Sequence, residues 1–157
     1  RQRGLLWMQG DYVISGYWKD PAKTAASFDA DHWFNTGDLC SMDENGYIYF
    51  HGRLKDTLKV GGENVAAVEV EAFLTTHPAV KLAAVVGVPD ADFGEVGVAV
   101  VVPLKGHTLD GPAMVTTLKG MLANFKVPKR CVIVDALPRN AMGKVQKNLL
   151  REQYKKS

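Results

Sequence analysis

Val80 to Val88 is a nearly continuous apolar run closed by Pro89-Asp90, and Gly97 to Pro103 is a second. Each reads as a buried strand, because a strand with one wet face alternates apolar and polar residues. Two such strands belong to one sheet, and a sheet covered on both faces needs helices. Helical patterns stand on either side in the sequence. One runs from about Ala66 to Thr75 and ends at His77-Pro78. In the next, Met114, Leu118, Met121, Leu122 and Phe125 repeat at helical spacing behind Gly111-Pro112. Val127-Pro128 stops it before a strand from Arg130 to Asp135, and a last helix carries Val145, Leu149 and Leu150 on its apolar face.

Upstream of Gly52 the pattern is different. Leu5 to Met8 and Tyr12 to Ile14 read as short strands separated by Gly10-Asp11. Asp20-Pro21, a capping residue followed by Pro at the first helical position, starts a short helix to about Phe28. Trp33 to Cys40 is a strand interrupted by Thr36-Gly37-Asp38, and the turn Asp43-Glu44-Asn45-Gly46 leads into the strand Tyr47 to His51, which makes a β-hairpin. After Gly52 come the strand Thr57 to Val60 and the Gly61-Gly62 turn. The expected fold is therefore α+β, a β-hairpin or barrel remnant followed by a compact domain with a mixed sheet flanked by helices, the two joined near residues 52–56.

At 157 residues, 46% hydrophobic and 23% charged, the chain has the composition of a soluble globular protein of one domain or two small pieces. No run approaches the length of a membrane span. The opening Arg1-Gln2-Arg3-Gly4-Leu5-Leu6-Trp7 lacks an initiator Met and a signal-peptide layout, so the chain is expected to begin inside a longer protein. Cys40 and Cys131 sit in apolar, strand-like surroundings that suit reduced thiols and a cytoplasmic location. Residues 126–157 hold nine Lys or Arg against Asp135 and Glu152, a surplus of seven, while the rest carries ten against fifteen. Tyr154 is the only aromatic of that basic tail, and no nucleic-acid motif accompanies it. A polyanionic nucleotide such as ATP or coenzyme A is the expected partner rather than a nucleic acid, with a solvated helix face as the plain alternative.

Three stretches carry chemistry. Phe34-Asn35-Thr36-Gly37-Asp38 sets a carboxylate after a Thr-Gly turn, where it can accept from the paired hydroxyls of a ribose or simply cap the turn. Gly52-Arg53-Leu54-Lys55-Asp56 leads through Lys59 to Gly61-Gly62 and then to Val68-Glu69-Val70-Glu71. Here Arg53 can pair with Asp56 across a turn, and Gly61-Gly62 can be a hairpin turn. Glu69 and Glu71, at the start of a helix, suit the macrodipole and packing. Leu137-Pro138-Arg139-Asn140-Ala141-Met142-Gly143-Lys144 is a Pro-to-Gly-Lys loop that can aim one ammonium at developing negative charge, or be a basic surface turn. His32, His51, His77 and His107 have no metal-ligand spacing, so no metal site is expected in the chain.

In this order and spacing the three stretches resemble the motifs of the adenylate-forming (AMP-binding) enzymes, and among them the acyl-coenzyme A synthetases, with fatty-acyl and malonyl-coenzyme A synthetases the nearest in look. The resemblance covers essentially the whole chain. It departs at Gly4-Leu5-Leu6, where the family often has Gly-Glu-Leu, and at Ala66-Ala67, where it often has Tyr-Pro. The resemblance implies an ATP-dependent carboxylate–CoA ligase that forms an acyl-adenylate and then an acyl-CoA thioester. Asp38 and Arg53 would bind ATP and AMP, Lys55 would be the hinge, Gly62 would border the pantetheine arm of coenzyme A, and Lys144 and Lys59 would be catalytic. Residues 1–51 would end the large N-terminal adenylation domain, 52–56 would be the hinge and 57–157 the mobile C-terminal domain. The phosphate loop, the Mg2+ ligand and the acid pocket would lie upstream in that N-terminal domain, leaving this chain inactive alone. In bacterial relatives the loop lysine is a target of lysine acetyltransferases, which makes such an enzyme a possible partner. Two alternatives remain: an adenylation domain that loads a carrier protein, and a stand-alone nucleotide-binding or interaction module.

Overall fold

The computed structural model describes residues 3–155, and its contacts divide the chain between Lys55 and Asp56 into two units. Arg1-Gln2 and Lys156-Ser157, which enter the readings of the chain's opening and basic tail, lie outside the described residues.

The first unit is a three-stranded antiparallel sheet in the order β1 (Arg3–Met8), β2 (Phe34–Met42), β3 (Ile48–Arg53). The helix α1 (Pro21–Ser27) lies between β1 and β2 in sequence, capped by Asp20, which accepts from the Lys23 N–H at 2.9 Å. The β2–β3 turn is held by Asp43, whose Oδ1 accepts from the N–H groups of Asn45 and Tyr47, each at 3.0 Å. A hydrogen bond from the Tyr49 hydroxyl, followed by those backbone donors, holds the Asp43 carboxyl below its usual range. Tyr12 to Ile14, expected as a strand, is instead part of a turn. The Val13 N–H closes back on the Gly10 carbonyl at 3.0 Å, and a three-residue run with no partner strand has nothing to pair with.

The second unit runs β4 (Thr57–Val60), β5 (Glu63–Ala66), α2 (Ala67–Thr75), β6 (Val80–Asp90), β7 (Gly94–Pro103), α3 (Gly111–Lys119), β8 (Arg130–Ile133), α4 (Lys147–Tyr154). Its sheet has the order β5-β4-β7-β6, antiparallel throughout, and β8 joins β7 in parallel, so the sheet is mixed. The two apolar runs are the β6–β7 hairpin. Val85, Ala99 and Val101 point to one face with Leu58, Val65, Val70, Leu74, Met114 and Leu118, the side of α2 and α3. Ala84, Val86, Val98 and Val100 point to the other with Leu137, Leu150 and Tyr154, the side of α4. Cover on both faces is why neither strand alternates, and each fully buried Val contributes about 1.5–3 kcal/mol.

Three boundaries differ from expectation. β5 is an added strand that returns along β4 across the Gly61-Gly62 turn. α3 stops at Lys119 with Gly120 as its cap, so Met121 and Phe125 leave the helix and are exposed. In α4 it is Leu150 and Tyr154, four apart, that are buried; Leu149 is 46% exposed, and Val145 precedes the helix in a bridge with Arg139. Among the described residues no helix is long and apolar enough to cross a membrane.

Candidate functional site

Antiparallel pairing sets Asp38 of β2 directly opposite Arg53, the last residue of β3. Arg53 Nε lies 2.8 Å from Asp38 Oδ1, and Arg53 Nη2 donates to the Thr36 carbonyl at 2.8 Å. The turn before Asp38 is built for this. Gly37 takes φ +72°, Thr36 Oγ1 donates to the Leu6 carbonyl at 2.9 Å and accepts from the Asp38 N–H at 3.1 Å. The Asp38 side chain is only 27% exposed, and its buried Oδ1 is the atom that meets the Arg53 guanidinium. The guanidinium is the partner of that oxygen, and a carboxylate has a second oxygen with which to accept from a hydroxyl.

Lys55 is exposed in a 3-10 turn, Leu54–Asp56, at the division between the units. Asp56 meets Arg151 of α4 at 3.1 Å, inside the second unit. Each neighbour of Leu54 and Lys55 is thus tied to its own unit by an ion pair. Lys59 is exposed on β4, and its N–H donates to Glu95 Oε2 at 2.6 Å. Gly61 and Gly62 form the two-residue hairpin turn between β4 and β5 with φ +56° and +89°, a conformation that other residues rarely adopt. Nothing stands within 4 Å of where a Gly62 side chain would begin.

Beside this turn opens a cleft of about 820 Å³ lined by Gly61, Phe93, Phe125, Pro128, Lys119 and Lys129 among others. Phe93 is 52% exposed, and Lys129 is held at 2.6 Å by Asp90. The sequence signal for the cleft is slight: two aromatic residues in polar turns, Asp92-Phe93-Gly94 and Asn124-Phe125-Lys126. Exposed aromatic rings beside lysines suit a flat base carrying phosphates. The Lys129 hydrogen bond and charge hold the Asp90 carboxyl below its usual range, and Asp90 in turn raises the Lys129 ammonium.

Pro138 to Val145 is a tight loop leading into α4. Asn140 Oδ1 accepts from the N–H groups of Met142 and Lys144 at 3.0 and 2.9 Å, and Arg139 Nη1 donates to the Gly143 carbonyl at 2.6 Å. Gly143 turns the chain with φ +80°, and the Gln146 N–H closes the base on the Pro138 carbonyl at 2.8 Å. Lys144 is exposed, and among the described residues its ammonium has no hydrogen-bond or ion-pair partner. The backbone is fixed while the charge is left available. Gly62 and Lys144 stand on separate elements of the second unit, the β4–β5 hairpin and the loop before α4. Glu69, in the first turn of α2, pairs with Lys126 at 2.7 Å, and Glu71 pairs with Lys147 at 2.7 Å. Among the described residues no group of three or more His, Cys, Asp and Glu could hold a metal ion.

Residues 69–144 match the family described as AMP-binding enzyme C-terminal domain. The chain is 41% identical over 153 residues to a feruloyl-CoA synthase from an Amycolatopsis species, covering 98% of this chain and 31% of that protein. It is 43% identical over 149 residues to an indoleacetate–CoA ligase from Aromatoleum aromaticum, covering 95% of this chain and 29% of that protein. ATP-bound MatB from Rhodopseudomonas palustris superposes with a TM-score of 0.88 at 49% identity, over 98% of this chain and 31% of that one. The chain therefore spans about a third of the length of the proteins it matches.

Proposed function

The chain belongs to the AMP-binding, adenylate-forming enzymes, whose C-terminal domain it carries, and from that membership we propose that it is the C-terminal part of an ATP-dependent carboxylate–CoA ligase. The parent reaction has two halves. A carboxylate and ATP give an acyl-adenylate and pyrophosphate; the thiol of coenzyme A then attacks the acyl carbon and AMP leaves.

The observation that supports this reading best is the pairing of Asp38 with Arg53 across β2 and β3, which sets a carboxylate and a guanidinium side by side. Residues fifteen apart in sequence make one polar face there. Asp38 accepts from the ribose hydroxyls, and Arg53 directs its planar fork toward ribose or phosphate oxygens. Lys144 brings its unpartnered ammonium to the carboxylate and α-phosphate while negative charge gathers in the first half-reaction. The open backbone at Gly62 lets the pantetheine arm run close along the β4–β5 hairpin, the cleft beside Phe93 and Phe125 takes the nucleotide end of coenzyme A, and Lys59 serves the thiol-transfer step. Lys55 is the hinge by which residues 57–157, as a mobile domain, offer Lys144 and Gly62 in turn. Magnesium accompanies ATP and offsets phosphate charge; the residues described here form no cluster for it, and its ligands, with the phosphate loop and the acid pocket, fall to the upstream domain. The two free thiols, Cys40 and Cys131, fit a cytoplasmic enzyme.

Lys144→Ala in the full-length protein tests the reading. Adenylate formation, followed by pyrophosphate release, should fall by about 10²–10³-fold, the usual loss for one electrostatic contact to a transition state. Thioester synthesis from supplied acyl-adenylate should persist; equal loss in both halves would overturn the division of roles. Acetylation of the same exposed ammonium would remove its charge and act like that substitution. Mapping the lysine modified by an acetyltransferase with acetyl-CoA checks this, and a modified site elsewhere would refute it.

A further inference from the structure

Glu71 and Lys147 belong to helices on opposite faces of the sheet, α2 and α4, yet their side chains meet. They can do so because β6 lies at the sheet's edge, where elements from the two faces reach each other. Lys147 Nζ is 2.7 Å from Glu71 Oε1, and the same oxygen accepts from the Val85 N–H of β6 at 2.8 Å. The side chains are 19% and 18% exposed, so water and salt screen the pair weakly. Glu71 thus satisfies an outward-facing N–H of the edge strand and fixes the first residue of α4 with one atom.

That first residue lies three positions after Lys144. The loop between Pro138 and Gln146 is internally braced by Asn140, by Arg139 and by the closure of Gln146 on Pro138. A braced loop turns as a body. Where its ammonium points is then decided by how the start of α4 is held, and Gln146, the cap of α4, offers no side-chain capping bond to hold it. We propose that Glu71 and Lys147 are positioning residues for Lys144, an inference that rests on the reading of Lys144 as the adenylation lysine. The pair ties the loop to the helix that follows the Gly61-Gly62 hairpin. Without the countercharge, Lys147 is drawn toward water, the start of α4 swings with it, and Lys144 loses its aim.

The test uses the full-length enzyme, with adenylation read by pyrophosphate release and the second half-reaction by thioester made from supplied acyl-adenylate. Glu71→Gln keeps an acceptor for Val85 and removes only the charge; Lys147→Met keeps the stem. Each should lower adenylation by about 10- to 100-fold, as a small misplacement of a reacting group does, and leave thioester formation unchanged. Lys147→Arg, which keeps the charge, should retain adenylation. Equal losses in both half-reactions would mean a merely structural pair, and unchanged adenylation in both variants would also overturn the proposal. Lys144→Ala, run alongside, separates the two layers. If it abolishes adenylation while Glu71→Gln and Lys147→Met do not, only the positioning role fails; if it spares adenylation, the reading of Lys144 fails and takes that role with it.

Discussion

Residues in this chain take their properties from what encloses them more than from their type. Cys40 and Cys131 are both thiols in sheet strands, and burial raises both, with the nearby Asp38 charge adding to the effect on Cys40. For Cys131, burial lifts the thiol from its ordinary 9.0 to about 11. A neutral form favoured by folding contributes stability that is fully present below pH 9 and is lost as pH rises toward 11, since the unfolded thiol ionises first. Urea midpoints of the natural chain and of Cys131→Ala should therefore diverge between pH 9 and 11, the natural chain losing more; parallel curves would contradict the burial cause. The same contrast separates the lysines. Lys147 and Lys126 are each held by a glutamate of α2, whereas Lys144 is held only through its backbone.

Elements are placed by contacts that leave no slack. Gly111 opens α3 against β8, and a side chain there would start 2.1 Å from the Cys131 carbonyl oxygen. A backbone atom cannot rotate away, so Gly111→Ala must push the helix from the strand. Overpacking of this kind costs about 1–3 kcal/mol, and the melting temperature should fall accordingly with the helix content retained. An unchanged melting temperature would show that α3 has room to shift. Gly87 differs, because what lies over it is the Glu95 carboxylate, the end of a flexible side chain, which also accepts from the Lys59 N–H. That carboxylate supports β4 beside the single β4–β7 pairing of Val60 with Gly94.

At the scale of the molecule, what could be read from the sequence was what is local or periodic. The buried hairpin of β6 and β7 follows from unbroken Val-rich runs, and the start of α1 from Asp20-Pro21. Most of the three motif segments could be recognised because each is contiguous. The partners of Arg53, Asp56 and Glu71 could not, since Asp38, Arg151 and Lys147 lie 15, 95 and 76 positions away and depend on register and on helices crossing a sheet edge. The cleft beside Gly61 was hidden for the same reason, its wall being gathered from the β4–β5 hairpin, β7, α3 and the segment that follows α3. One expectation concerns the chain as a whole: with the phosphate loop proposed to lie in the upstream domain, titration calorimetry on these 157 residues should give no saturable ATP binding in the micromolar range, and a micromolar isotherm would favour a stand-alone nucleotide module.

The two ion pairs that flank Leu54 and Lys55 leave a span of two residues between them. Two residues own four soft torsions, and each torsion pair has only a few permitted basins. For a hinge at Lys55 this means discrete stops rather than a continuous swing. Under the hinge role proposed for Lys55, so short a joint would work as a latch with set positions, and each half-reaction of the proposed ligase would find its geometry ready instead of searching for it.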